Sequence, residues 1–119
     1  MKKTLVFGAS LKSSRYSNLA LNRLLSHNIE TEAFGFKEGK IGSTQIKTKL
    51  DDFQNIHTIT LYLGASRQPE YIDKIIQLRP KRVIFNPGTE NPDLYKILED
   101  KGIEVEVACT LVLLATGQY

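Results

Sequence analysis

Five short apolar segments alternate with amphipathic helical patterns along the whole chain, and this alternation constrains the fold more than any other feature. The segments run over Lys3–Phe7, Glu30–Phe36, His57–Leu63, Arg82–Asn86 and Ile103–Val107. In the third, Ile59, Leu61 and Leu63 share one face. Between the segments, Ala20, Leu21, Leu24 and Leu25 form a helical stripe, with Ser14 or Ser17 as the candidate N-cap. Pro69-Glu70 opens a second helix with the stripe Ile72, Ile75 and Ile76, and Pro80 lies past its end. Asn91-Pro92-Asp93 supplies an N-cap, a first-turn proline and a carboxylate at the positive end of a third helix, which buries Leu94, Ile97 and Leu98 and stops at Gly102. The link from Gly39 to Gln54 has weak periodicity and reads as a loop with a short helix around Lys49–Phe53. Such an order predicts an α/β fold: a five-stranded parallel sheet in the order 3-2-1-4-5, with helices on both faces joined by right-handed crossovers. At 119 residues, the chain holds one domain spanning 1–119.

Composition excludes several classes of function. With 41% hydrophobic and 24% charged residues, the chain reads as a globular protein. No apolar run approaches the ~20 residues of a membrane span, so no membrane partner is expected. The apolar start after Lys2-Lys3 ends at Gly8, too soon for a signal peptide, and a cytoplasmic location is expected. One cysteine and two histidines leave neither a disulfide framework nor a closed structural zinc site. Charge is uneven: residues 1–50 carry nine Lys/Arg against three Asp/Glu, a net +6, and residues 51–119 carry seven against ten, a net −3. An anionic partner near the first half follows. Nucleic acid is not expected, because the chain has no basic run and no interleaving of aromatic and basic residues.

Ligands of such sheets bind beyond the carboxyl ends of the strands, so each strand exit is informative. The first, Gly8-Ala9-Ser10, offers a sharp turn, hydroxyls from Ser10, Ser13, Ser14 and Ser17, a helix N-terminus, and the charges of Lys12 and Arg15. A plain turn and a phosphate-binding turn both fit these three residues alone; after the first strand of an alternating chain, phosphate binding is expected. An NAD site needs a carboxylate at the second exit, and this chain has Phe34-Gly35-Phe36-Lys37 there. The lysine suits a ribose phosphate. The third exit is Leu63-Gly64-Ala65-Ser66-Arg67, and the fourth is Asn86-Pro87-Gly88-Thr89-Glu90-Asn91. Small residues at four exits, with cations in or near three, favour a long phosphorylated ligand.

Together V-F-G-A-S with Arg15 and Ser17 following, the F-G-F-K exit, the G-K-I-G of Gly39–Gly42, N-P-G-T-E-N and the late Cys109 resemble the small stand-alone CoA-binding proteins. Their fold is similar to the N-terminal CoA-binding domain of the succinyl-CoA synthetase α subunit. The resemblance covers nearly the whole chain and implies a Rossmann-like domain that binds coenzyme A or an acyl-CoA, with no established reaction for most members. By position it implies that Gly8, Ala9, Ser10, Arg15, Ser17 and Asn18 face the pyrophosphate and that Lys37 lies near the nucleotide phosphates. Leu63, Gly64 and Arg67 fall by the adenine end, and Asn86, Pro87 and Gly88 by the pantetheine arm. Phe36 stands at the nucleotide exit, where the family often carries proline.

No catalytic constellation accompanies these residues. His27 and His57 fall away from the strand exits, and Cys109 has no base or cation beside it in sequence, so a buried, inert thiol is expected. The leading expectation is a non-catalytic CoA-binding protein. Two alternatives stand beside it: a small NADP-dependent oxidoreductase or its remnant, and a regulatory interaction domain without a ligand. The apolar stretch Leu111–Ala115 fits either a last core element or a homodimer interface.

Overall fold

The computed structural model describes residues 2–119. Seven strands form one sheet: β1 (Thr4–Phe7), β2 (Thr31–Phe34), β3 (Gly39–Ile41), β4 (Thr44–Lys47), β5 (Thr58–Leu61), β6 (Arg82–Phe85) and β7 (Glu104–Val107). Their spatial order is β3-β4-β2-β1-β5-β6-β7; β3 runs antiparallel to β4 and every other neighbouring pair is parallel. Four α-helices accompany them: α1 (Tyr16–Ser26), α2 (Ile72–Leu78), α3 (Pro92–Asp100) and α4 (Thr110–Ala115).

All five strands expected from the sequence are present, but the sheet has seven, and the order 3-2-1-4-5 does not hold for those five. The expected third strand, β5, pairs with β1 instead of lying beyond β2. The place beyond β2 belongs to β4, inside the link expected to be a loop. Only the Leu50–Asp52 turn, a 3-10 helix, answers to the short helix expected there. The hairpin escapes a periodicity reading because its strands are three and four residues long and alternate for only one turn each. Ile41, Thr44 and Ile46 are buried while Lys40 and Gln45 are exposed, the pattern of an edge with one covered face. Gly42 takes a left-handed φ of +59° at the turn between them.

β1 shows why this sequence makes a two-sided sheet. Leu5 and Phe7 point to one face, where Ile59, Leu61, Val83 and Phe85 meet Ile75 of α2 and Leu94 and Leu98 of α3. Val6 points to the other, joining Ala33 and Ile46 against Leu21 and Leu24 of α1 and Leu114 of α4. The apolar tail is therefore a core element at Leu114, while Val112 stays exposed. β5 is apolar only toward the first face; its Thr58 and Thr60 are fully buried toward the second and need partners there.

Two of the three expected helix starts hold. Asn91 caps α3, its side chain accepting from the Leu94 N–H at 3.4 Å, with Pro92 opening the helix. Pro69 opens a 3-10 turn that leads into α2. For α1, neither Ser14 nor Ser17 is the cap: Arg15 holds that position and no side chain caps the first turn.

The amino end of the sheet is tied down. The Tyr119 hydroxyl bonds Thr4 Oγ1, and the Arg82 guanidinium lies 4.5 Å over the Tyr119 ring while its Nη1 donates to Glu106 Oε1 at 3.0 Å. His57 sits at this end, 2.8 Å from Thr58 Oγ1 through Nδ1. Burial, then the charge of Arg82 and those of Lys2 and Lys81, hold its imidazole below the ordinary 6.5. Because its folded pKa lies below the unfolded one, the stability it contributes is complete above 6.5 and is lost as pH falls below that value. In His57→Asn, denaturant unfolding at about pH 7.5 and about pH 5.5 should therefore show a smaller drop than in the wild type.

Candidate functional site

Beyond the carboxyl ends of β1, β2, β5 and β6 the chain leaves a cleft of about 510 Å³. Its floor is set by close backbone packing. Gly8 has a φ of +105°, and a Cβ there would stand 3.1 Å from the Tyr62 carbonyl oxygen. Gly35 is tighter: a Cβ would fall 2.5 Å from the Ala9 carbonyl oxygen. The N–H groups of Gly8 and Ala9 both donate to the Phe34 carbonyl, at 2.9 and 2.8 Å. The Ala9 N–H, a natural phosphate donor in a turn of this sequence, is thus already engaged. Donors remain at the start of α1, where the N–H groups of Tyr16 and Ser17 have no intrahelical acceptor and no capping side chain.

The structure brings most of the sequence-derived candidates to this one cleft. From the first exit come Gly8, Ala9, Ser10, Arg15 and Ser17; from the second, Phe36 and Lys37. The third contributes Leu63, Gly64 and Arg67, and the fourth Pro87 and Gly88. Asn18 and Asn86 do not line it. Asn18 donates from Nδ2 to the Ser10 carbonyl at 2.9 Å and so clamps the first loop from behind. Asn86 donates to Thr60 Oγ1 at 2.8 Å and the Leu61 carbonyl at 2.9 Å, and accepts from the Thr110 N–H at 2.9 Å. Both amides hold the cleft in shape. Leu11, Lys12, Tyr16, Tyr62 and Thr89 also line it. Of these, Lys12 and Thr89 were legible as part of polar exits, whereas Tyr62 is visible only from the end of β5.

Electrostatics distinguish the cleft from the rest of the surface. Lys12, Arg15, Lys37 and Arg67 line it, and among the described residues no carboxylate does. None of the four takes part in an ion pair among the described residues. The Arg67 guanidinium lies 4.5 Å over the ring of Phe36, which is 50% exposed. Burial pushes the Tyr62 phenol up to about 12, so it stays protonated at neutral pH. Cys109 is half-buried at the N-cap of α4, less enclosed than expected, and is not a lining residue. His27 and His57 do not reach the cleft either.

These features define a Rossmann-like α/β domain with a cationic cleft at its carboxyl edge. The chain belongs to the CoA binding domain family, whose model matches residues 2–115. Among solved structures, an uncharacterized protein is 43% identical and superposes with a TM-score of 0.96, over 100% of this chain and 98% of its own. A protein from Thermus thermophilus, 20% identical, gives 0.87 over 99% of this chain and 90% of its own, and shares the fold. A probable oxidoreductase, 16% identical, gives 0.62 over 89% of this chain but only 35% of its own. Comparison with curated proteins returns no match.

The contact between Gly35 and Ala9 generates a contrast between two glycines. Gly35→Ala forces a Cβ onto a backbone carbonyl and should destabilise the protein by roughly 1–3 kcal/mol. Gly64→Ala meets nothing nearer than the Gly88 carbonyl oxygen at 4.0 Å and should change stability by less than about 0.5 kcal/mol. Urea denaturation of the two variants checks both values.

Proposed function

We propose that this protein binds coenzyme A or an acyl-CoA in the carboxyl-edge cleft and does not transform it. The observation that carries this reading is the set of four cations, free of ion pairs among the described residues, around a cleft that no described carboxylate lines, beside the uncapped start of α1. Unpaired cations and free N–H groups together favour a polyanion. The family match supports CoA as that polyanion. In this reading Arg15 forks onto the pyrophosphate with the Tyr16 and Ser17 N–H groups, Lys37 meets the ribose phosphate as a point charge, and the Pro87–Gly88 loop takes the pantetheine arm.

NADP also carries a ribose phosphate, so Lys37 supports an NADP-dependent oxidoreductase as a second reading. Calorimetric titration with CoA, dephospho-CoA and NADP separates the two. A charged hydrogen bond contributes roughly 1.5–3 kcal/mol, so Arg15→Ala and Lys37→Ala should each weaken CoA by about ten- to a hundredfold with the fold intact. Lys37→Ala should matter less for dephospho-CoA. Equal affinities in the wild type and both variants would remove this cleft as the site, and binding of none of the three ligands would favour a domain acting without one.

Absence of turnover is a separate expectation. It is supported by the lining itself: Tyr62 is held protonated, and Cys109 and both histidines lie elsewhere. Incubation with acetyl-CoA or succinyl-CoA should release no free CoA above background. Hydrolysis that disappeared in Cys109→Ala would contradict the non-catalytic reading.

A further inference from the structure

Gln68 sits between two lips of the cleft. One lip is the β5 exit, Leu63–Arg67; the other is the β6 exit, Pro87–Asn91. The Gln68 side chain is fully buried. Its Nε2 donates to the Leu63 carbonyl and to the Thr89 carbonyl, both at 2.8 Å, and its Oε1 accepts from Asn91 Nδ2 at 2.8 Å. Both amide hydrogens are used, one on each lip. Asn91 then passes the connection to α3 through its capping oxygen.

Each lip is already closed on itself without this side chain. In the first, the Arg67 N–H donates to Gly64 and the Gln68 N–H to Ala65. In the second, the Thr89 N–H and Oγ1 both donate to the Asn86 carbonyl. Gln68 is therefore not what makes either turn. Among the described residues, every side-chain hydrogen bond between residues 63–68 and 87–91 runs through it. Its length and its paired donors suit one task, which is to hold two carbonyls at a set separation. Glutamate offers no second donor, asparagine is a methylene shorter, and methionine or leucine leaves two buried carbonyls without partners.

We propose that Gln68 is a positioning residue that fixes the separation of the two lips, so that a ligand reaching from Arg67 to Gly88 meets a preformed site. This inference rests on the CoA reading above. A ligand that spans both lips gains from their being held in advance, because no ordering of loops is left to its binding. A ligand that touches only the nucleotide side gains nothing from the brace. The brace therefore acts in proportion to how far a ligand spans, and a purely structural residue has no such signature.

The test compares CoA with adenosine 3′,5′-bisphosphate, the nucleotide portion without the pantetheine arm, by calorimetry well below the melting temperature. The variants are Gln68→Met, of similar length without donors, and Gln68→Asn, polar but able to reach only one lip. CoA affinity should fall about tenfold in both, while the bisphosphate changes by less than about twofold. An equal loss for the two ligands, or no loss for CoA, overturns the proposal while leaving the CoA reading standing. If the wild type binds no CoA, that reading fails separately, and amide hydrogen exchange decides the brace. Exchange should then quicken in the variants at Leu63–Arg67 and at Thr89–Asn91 together; quickening confined to the first stretch overturns it. Should Gln68→Met fail to fold, the milder Gln68→Asn carries both measurements.

Discussion

A strand with parallel neighbours on both sides and helices on both faces has no solvent side. Every residue of β1 is 0% exposed, so neither face of this strand can display a charge or a reactive group. Polar function is pushed off the faces to the strand ends, where backbone hydrogen bonding runs out and the chain must turn. The turns there have to be tight, which explains Gly8 beneath Tyr62 and Gly35 against Ala9. They must also be held without regular secondary structure. Amide side chains do that work: Asn18 behind the first loop, Asn86 beneath the fourth, Gln68 between the third and fourth. Each satisfies backbone carbonyls, and those met by Asn86 and Gln68 are buried, where an orphan costs about 1–3 kcal/mol.

The two ends of the sheet use their cations in opposite ways. At the amino end Lys3 pairs with Glu32 at 3.1 Å and Arg82 with Glu106 at 3.0 Å, and Arg82 is covered by Tyr119. These charges are neutralised in place and serve the fold. At the carboxyl end the four cations of the cleft make no ion pair among the described residues. A basic first half of the chain could have been spread over the surface; instead part of that excess is concentrated around one opening, and the partly buried Lys3–Glu32 and Arg82–Glu106 pairs lie at the other end of the strands.

Much of this was legible in the sequence, for physical reasons. The five long-range strands are runs such as Val83-Ile84-Phe85, which burial on both faces makes uniformly apolar. The strand exits were legible because tight turns demand glycine and small residues next to those runs. The β3–β4 hairpin was not, because an edge strand covered on one side needs only Ile41, Thr44 and Ile46 to be buried. That one omission explains the wrong strand order: the slot beyond β2 that was assigned to β5 is filled by β4, and β5 pairs with β1 instead. Asn18 and Asn86 lay in the right loops by position, but whether an amide turns toward a ligand or toward a neighbouring carbonyl depends on contacts eight to twenty-six residues away. Gln68 carries no local signal at all, since one of its partners is twenty-one residues away.

The stacking of Arg67 on Phe36 gives the free cleft an occupant of its own. A flat ring arriving at Phe36 would not land on bare surface; it would exchange with a guanidinium already resting there, and the net gain would be the difference between two stacking energies. The displaced group is not lost to the complex. Once off the ring, it would be a mobile cation on the lip of a cationic cleft, free to follow the charge of an incoming anion. A ring that stacked at this edge would thus bind by a swap, in which one side chain gives up a face and takes on a counter-ion.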